Sequence, residues 1–181
     1  GPLTNIALAI KKEPAVVENI KNIILMGGVH RFGANRSSLP VSEYNIKSDP
    51  EAANIVLRSD CPITMVTLDV TTRTFINRSH IEKIERSRHP LRKLLSEKAN
   101  NWLRIKGIDQ TPMHDPLAAA ITFRPELLQT FNAIVKVECR GGYGFGQTII
   151  TPVIEGGIKV SASVNEEAFI NLLLQSLCLS Y

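Results

Sequence analysis

Short apolar runs closed by turn residues alternate along this chain with segments of helical spacing, and that alternation restricts the fold more than any other feature. Asn22-Ile23-Ile24-Leu25-Met26 is a β-branched run ended by Gly27-Gly28, and Pro62-Ile63-Thr64-Met65-Val66-Thr67-Leu68 is a second run of the same kind. Runs of this length and bounding read as buried strands. Ala133 to Cys139 alternates like a half-buried strand, and Gln147 to Thr151 and Lys159 to Val164 add two more. Between them lie helical segments. Ile6 to Ile10 ends before Pro14, and Ala15 to Ile20 offers another turn or two. Asp49-Pro50-Glu51 opens a helix through Leu57. Ser79 to Ile105 reads as helical, broken near His89-Pro90 and ended by Gly107. Asn165 caps a final helix through Leu177, with Phe169, Leu172, Leu173 and Leu177 on one face. The expected fold is α/β, with a largely parallel sheet flanked by helices in a single domain, residues 1–181. Such sheets place ligands at the carboxyl ends of their strands, here the loops after Met26 and Leu68 and the loop before His114-Asp115.

One of those loops, Val29 to Lys47, is polar and long for a plain connection, which is a mark of functional or disordered segments. The glycines of Gly141-Gly142-Tyr143-Gly144-Phe145-Gly146 suggest a phosphate loop at first sight. A dinucleotide loop passes from a strand directly into a helix, however, and here the next run is a strand, so a hairpin or surface loop is expected.

Composition removes several classes of function. With 181 residues, 44% hydrophobic and 21% charged, the chain can build a core that buries about 70% of the unfolded surface. A net charge of +4 is no nucleic-acid signature. The basic run from Lys83 to Lys106 is interrupted by Glu85 and Glu97 at near-helical spacing, as on a solvated helix face, so no nucleic-acid partner is expected. No apolar stretch reaches the length of a membrane span, and no signal peptide is recognisable. Cys61, Cys139 and Cys178 are odd in number, far apart and without zinc spacing, which predicts reduced thiols and a cytoplasmic setting.

His114-Asp115-Pro116-Leu117-Ala118 carries the clearest chemistry. It sets an imidazole beside a carboxylate at the start of a helix, where Asp115 is expected to cap and Pro116 to occupy the first turn. Such a carboxylate stays ionised and can hold a metal, while the histidine can move a proton. Read structurally, the same residues are a helix cap with an incidental histidine.

Several blocks together resemble the inosine–uridine-preferring nucleoside hydrolase family. They are Gly1-Pro2-Leu3-Thr4-Asn5, Ile24-Leu25-Met26-Gly27-Gly28, Pro40-Val41-Ser42-Glu43-Tyr44-Asn45, Asp49-Pro50-Glu51-Ala52-Ala53, Ile63-Thr64-Met65-Val66, Leu68-Asp69-Val70-Thr71 and His114-Asp115-Pro116-Leu117-Ala118, in the family's order. The resemblance implies a Rossmann-like nucleoside hydrolase fold and calcium-dependent cleavage of the N-glycosidic bond of ribonucleosides, giving ribose and free base. It implies that Asp115 is a calcium ligand that also contacts ribose, and that His114 is a general acid at the leaving base. Glu43 and Asn45 match ribose-binding residues, Asn35 matches a further ribose-binding asparagine, and Met26 matches a residue lining the ribose site. Trp102 lies on a helix that reaches over the base in the family.

The family's amino-terminal cluster Asp-x-Asp-x-x-x-Asp-Asp, which supplies most of the calcium ligands, has no counterpart here. The resemblance therefore covers roughly 55–60% of a typical member, its carboxyl-terminal portion, with the first strands lacking. Calcium takes six to eight oxygen ligands, so the chain alone is expected to be inactive and, with an apolar sheet edge exposed, prone to associate. The complete protein is expected to be a homo-oligomer acting on a small ribonucleoside. The alternative is a non-catalytic ribose- or nucleoside-binding module or a degenerate pseudoenzyme.

Overall fold

The computed structural model describes residues 1–31 and 42–178. They fall into two compact units, Gly1–Val70 with Leu128–Val164, and Thr71–Leu127 with the segment from Asn165 onward.

The first unit is built on a five-stranded sheet, β1 (Ile23–Met26), β2 (Ile63–Val66), β5 (Leu128–Val137), β6 (Thr148–Pro152) and β7 (Ile158–Val164), in the order β1-β2-β7-β5-β6. β1 pairs parallel with β2, and β2 with β7. β5 pairs antiparallel with both β7 and β6. Four strands thus run one way and β5 alone runs the other, so the largely parallel direction holds while the pairings divide evenly. The reversal follows from the connection: residues 138–147 join β5 to β6, too short for the crossover a parallel pair requires. The glycine-rich segment is that hairpin loop.

Helices α1 (Thr4–Lys12) and α3 (Pro50–Leu57) belong to this unit, with a 3₁₀ turn at Pro14–Asn19. Asp49 caps α3 by accepting from the Ala52 N–H, with Pro50 at its first turn, as its sequence predicts. Their apolar faces bury Leu3, Ala7, Ala53 and Val56 with Leu25, Met65, Val135 and Val160 of the sheet. Two stretches differ from expectation. Residues Tyr44–Ser48, inside the predicted irregular loop, form a short helix, α2, and Leu68, predicted as strand, begins the four-residue helix α4 (Leu68–Thr71).

The second unit contains α5 (Arg78–Arg86), α6 (Arg92–Lys106), α7 (His114–Phe123) and α8 (Glu166–Cys178), with a 3₁₀ turn at Pro125–Leu127. The predicted break at His89-Pro90 separates α5 from α6, Gly107 ends α6 in the left-handed conformation, and Asn165 caps α8 through the Ala168 N–H. Ile76, Ile81 and Leu103 form a small core, packed by Met113, Ile170 and Leu173. A two-stranded antiparallel ribbon, β3 (Phe75–Asn77) with β4 (Gln110–Pro112), went unpredicted, because three-residue strands carry no readable period.

α7 begins at His114, two residues before the expected start. Met113 is the N-cap residue and no side chain caps the helix, so Asp115 does not have the capping role read from the sequence. Pro116 fits the third position as readily as the first, since the first four helical N–H groups all lack an intrahelical partner.

Among the described residues no helix is long and apolar enough to cross a membrane. Cys61, Cys139 and Cys178 are all free thiols. Burial first, then the charges of Glu51 and Glu138, pushes the Cys139 thiol above its ordinary range.

Candidate active site

Within the first unit, the carboxyl end of β1 gathers three of the residues singled out in the sequence. Glu43, 4% exposed, precedes α2 and caps it. Its carboxylate accepts from the Asn45 N–H at 2.8 Å, the Ile46 N–H at 3.1 Å and the Gly28 N–H at 3.1 Å. A carboxylate offers about four lone-pair positions, so three backbone bonds leave Glu43 room for roughly one hydroxyl. Asn45 donates through Nδ2 to the Met26 carbonyl at 3.0 Å and lies 3.4 Å from the Met26 sulfur, while its Oδ1 has no partner among the described residues. Met26 itself is buried. Asn35 lies outside the described residues.

Gly28 makes this turn possible. Its φ is +74°, and a Cβ there would run into the Met65 methyl and stand 3.2 Å from Thr148. Only glycine joins a left-handed backbone to so close an approach.

A second arrangement lies beside it, built on Asp69 of the Leu68-Asp69-Val70-Thr71 block, whose role was not legible in the sequence. Asp69, with a side chain 1% exposed, accepts from the backbone N–H groups of His30 at 3.1 Å and Arg31 at 2.8 Å, and its Oδ2 lies 3.0 Å from His30 Nδ1. The His30 ring meets Phe131 edge-on, with ring centres 5.9 Å apart. Burial pushes the Asp69 carboxyl upward, but the bonds and charge of His30, with a bond from Thr67, outweigh it and hold the group below its ordinary 3.8. A carboxyl depressed on folding contributes stability that is complete above pH 3.8 and is lost as pH falls through the depressed folded value. Acid unfolding of Asp69→Asn is therefore expected to show a shallower pH dependence than that of the unchanged chain below pH 4. Identical slopes would mean that Asp69 does not anchor this loop.

In the second unit, His114 Nδ1 lies 2.7 Å from the hydroxyl of Thr71, which is fully buried. The Thr71 carbonyl in turn accepts from both the N–H and the hydroxyl of Thr74, so the group that orients the imidazole is itself fixed. Thr71 belongs to the Leu68-Asp69-Val70-Thr71 block; its presence there was the available signal, though its role was not legible. Asp115, next along α7, is exposed and has no hydrogen-bond or ion-pair partner among the described residues. Trp102 is 48% exposed rather than packed into the core. Its indole N–H donates to the Thr111 hydroxyl at 3.1 Å, and Lys106 Nζ sits 4.8 Å from the ring centre. A ring held at its edge and about half exposed suits stacking.

No group of three or more His, Cys, Asp or Glu side chains among the described residues could hold a metal ion. These residues do not by themselves fit calcium, because Asp115 supplies one carboxylate where six to eight oxygens are needed.

An α/β protein with a Rossmann-like sheet, carrying polar groups at the carboxyl end of β1 and an exposed carboxylate beside an oriented imidazole, is the class that fold and side chains define. Residues 1–171 match the family described as inosine-uridine preferring nucleoside hydrolase, and the chain belongs to that family. It is 35% identical, over 98% of its length and 59% of the relative's, to the pyrimidine-specific ribonucleoside hydrolase RihA of Photobacterium profundum. It is 33% identical to RihA of Citrobacter koseri, with the same coverage. Among solved structures, a purine-preferring ribonucleoside hydrolase from Gardnerella vaginalis superposes with a TM-score of 0.87 at 29% identity, over 98% of this chain and 58% of that one. A plant nucleoside hydrolase gives 0.85 at 26%, over 99% and 60%. The chain thus spans about 59% of the length of the curated relatives it matches.

Proposed function

We propose that the whole protein to which this chain belongs hydrolyses the N-glycosidic bond of ribonucleosides, releasing ribose and a free base. The observation that carries this reading is the pairing on α7 of an exposed Asp115, without a partner among the described residues, with a His114 whose ring is fixed by Thr71, in a chain of this family. In it, His114 protonates the leaving base, which suits a group able to donate near neutral pH. The ionised Asp115 favours the ribosyl centre as it gains positive charge. Glu43 and the Oδ1 of Asn45 accept from ribose hydroxyls, with Met26 beside them; Asn35 is proposed as a further ribose contact and Trp102 as a face for the base. Family relatives are pyrimidine-specific in one case and purine-preferring in another, so base preference is not carried over.

Calcium dependence belongs to the same proposal, with Asp115 as one ligand and the remaining donors supplied from outside the described residues. So do the two units acting as parts of one domain, a homo-oligomeric assembly and a cytoplasmic setting, which suits three unpaired thiols.

The test separates proton donation from binding. His114→Ala in the whole protein is expected to slow inosine or uridine hydrolysis by about 10²–10⁴-fold while sparing a riboside with an activated leaving group such as p-nitrophenolate. Equal losses on both substrates would remove the general-acid role.

A further inference from the structure

The amino ends of β1, β2 and β7, with the middle of β5, carry a second constellation that shares no residue with the candidate active site. Thr64 of β2 pairs with Lys159 of β7, and Lys159 pairs with Asn132 of β5. Side chains directly opposite one another in a ladder project from the same face of a sheet, so these three form one polar row across three adjacent strands. Asn22, just before β1, donates from its amide to the Thr64 hydroxyl at 3.2 Å and extends the row. Lys21 precedes it. With Gly157, these five side chains line a cavity of about 370 Å³, and no Asp or Glu lines it.

Its electrostatics are one-sided. Neither Lys21 nor Lys159 has an ion-pair partner among the described residues, and the Asn132 amide makes no hydrogen bond among them. Two ammonium groups, two amides and a hydroxyl therefore face one concave space with no carboxylate to neutralise them. Lysines supply charge-assisted hydrogen bonds to oxyanions, and the neutral groups supply directed donors beside them.

We propose that this cavity binds a small phosphate dianion, as inorganic phosphate or as the phosphate of a small monoester. Lys21 and Lys159 hold the charge, and Asn132 completes the donor set. β1 is four residues long, roughly 13 Å at ordinary strand rise, and Met26, Asn45 and Glu43 lie at its other end. The two sites are therefore distinct, and the anion is not the nucleoside. The proposal does not depend on the hydrolase reading.

Titration of the whole protein with inorganic phosphate and with ribose 5-phosphate at fixed ionic strength, read by calorimetry, tests it. Saturable binding is expected, and Lys21→Ala and Lys159→Ala should each weaken it by about tenfold or more, as loss of a charge-assisted bond implies. Lys159→Arg should retain binding, and Lys98→Ala, an exposed lysine of α6, should leave it unchanged. Comparable affinity for both probes identifies free phosphate as sufficient, and binding of the ester alone identifies a phosphorylated sugar. No saturation by roughly 10 mM of either probe overturns the proposal. So does unchanged affinity in both alanine variants, or equal weakening by Lys98→Ala. Melting curves of the variants establish that each is folded; should Lys159→Ala fail to fold, Lys21→Ala, which lies outside the strands, decides.

Discussion

Replacing Asp115 by alanine in the whole protein is expected to lower kcat/KM for ribonucleosides by roughly 10³-fold or more, on the order of 4 kcal/mol of transition-state stabilisation. The size of the loss follows from the two tasks proposed for one carboxylate, donor to the metal and counter-charge to the ribosyl centre. Its specificity follows from the structure. Asp115 is exposed, does not cap α7 and has no partner among the described residues. The substitution should therefore leave unfolding free energy within about 0.5 kcal/mol, as surface changes do. Asp115→Asn, which preserves shape and removes charge, should be as inactive as the alanine variant. Activity of Asp115→Ala within tenfold of the unchanged protein would sink the assignment.

Glu43→Ala is expected to have the opposite profile, with its largest effect on folding. Three backbone N–H groups, of Gly28, Asn45 and Ile46, end on the Glu43 carboxylate in a place 4% exposed. Each donor left buried without a partner costs about 1–3 kcal/mol. Water entering the vacated space recovers part of the total, which leaves roughly 3–5 kcal/mol out of the 5–15 kcal/mol usual for a folded domain. Glu43→Gln keeps one acceptor oxygen and should lose less. Urea unfolding measures both, and a shift under about 1 kcal/mol for the alanine variant would mean that the carboxylate does not hold the turn. A residue read from the sequence as a ribose contact is thus also the fastening of the loop that would present it.

The local elements were largely legible in the sequence, because their signals are local. Asp49-Pro50 and Asn165 mark helix starts through their own side chains, Gly107 marks an end through its left-handed backbone, and β1 and β2 stand out as short apolar runs. The start of α7 was misjudged by two residues because Pro116 is tolerated anywhere among the first few N–H groups, so its position does not fix the cap.

The site residues separated along the same line. His114, Asp115, Glu43 and Asn45 could be named from residue types and the order of motifs. Thr71 behind the imidazole, the His30–Asp69 contact and the bond from the Gly28 N–H to Glu43 could not, since each joins positions 15 to 43 residues apart. The same is true of the pairing of β5 with β7 and of the Thr64–Lys159–Asn132 row. Strand direction and register are set by which segments pair, and pairing is a property of the folded chain rather than of any window within it. The sequence by itself determined the α/β class, the family and the chemical groups available. The tertiary structure decided which of those groups are free to meet a ligand and which are already occupied in holding the fold, because a hydrogen-bonding position taken by the backbone is no longer available to a substrate.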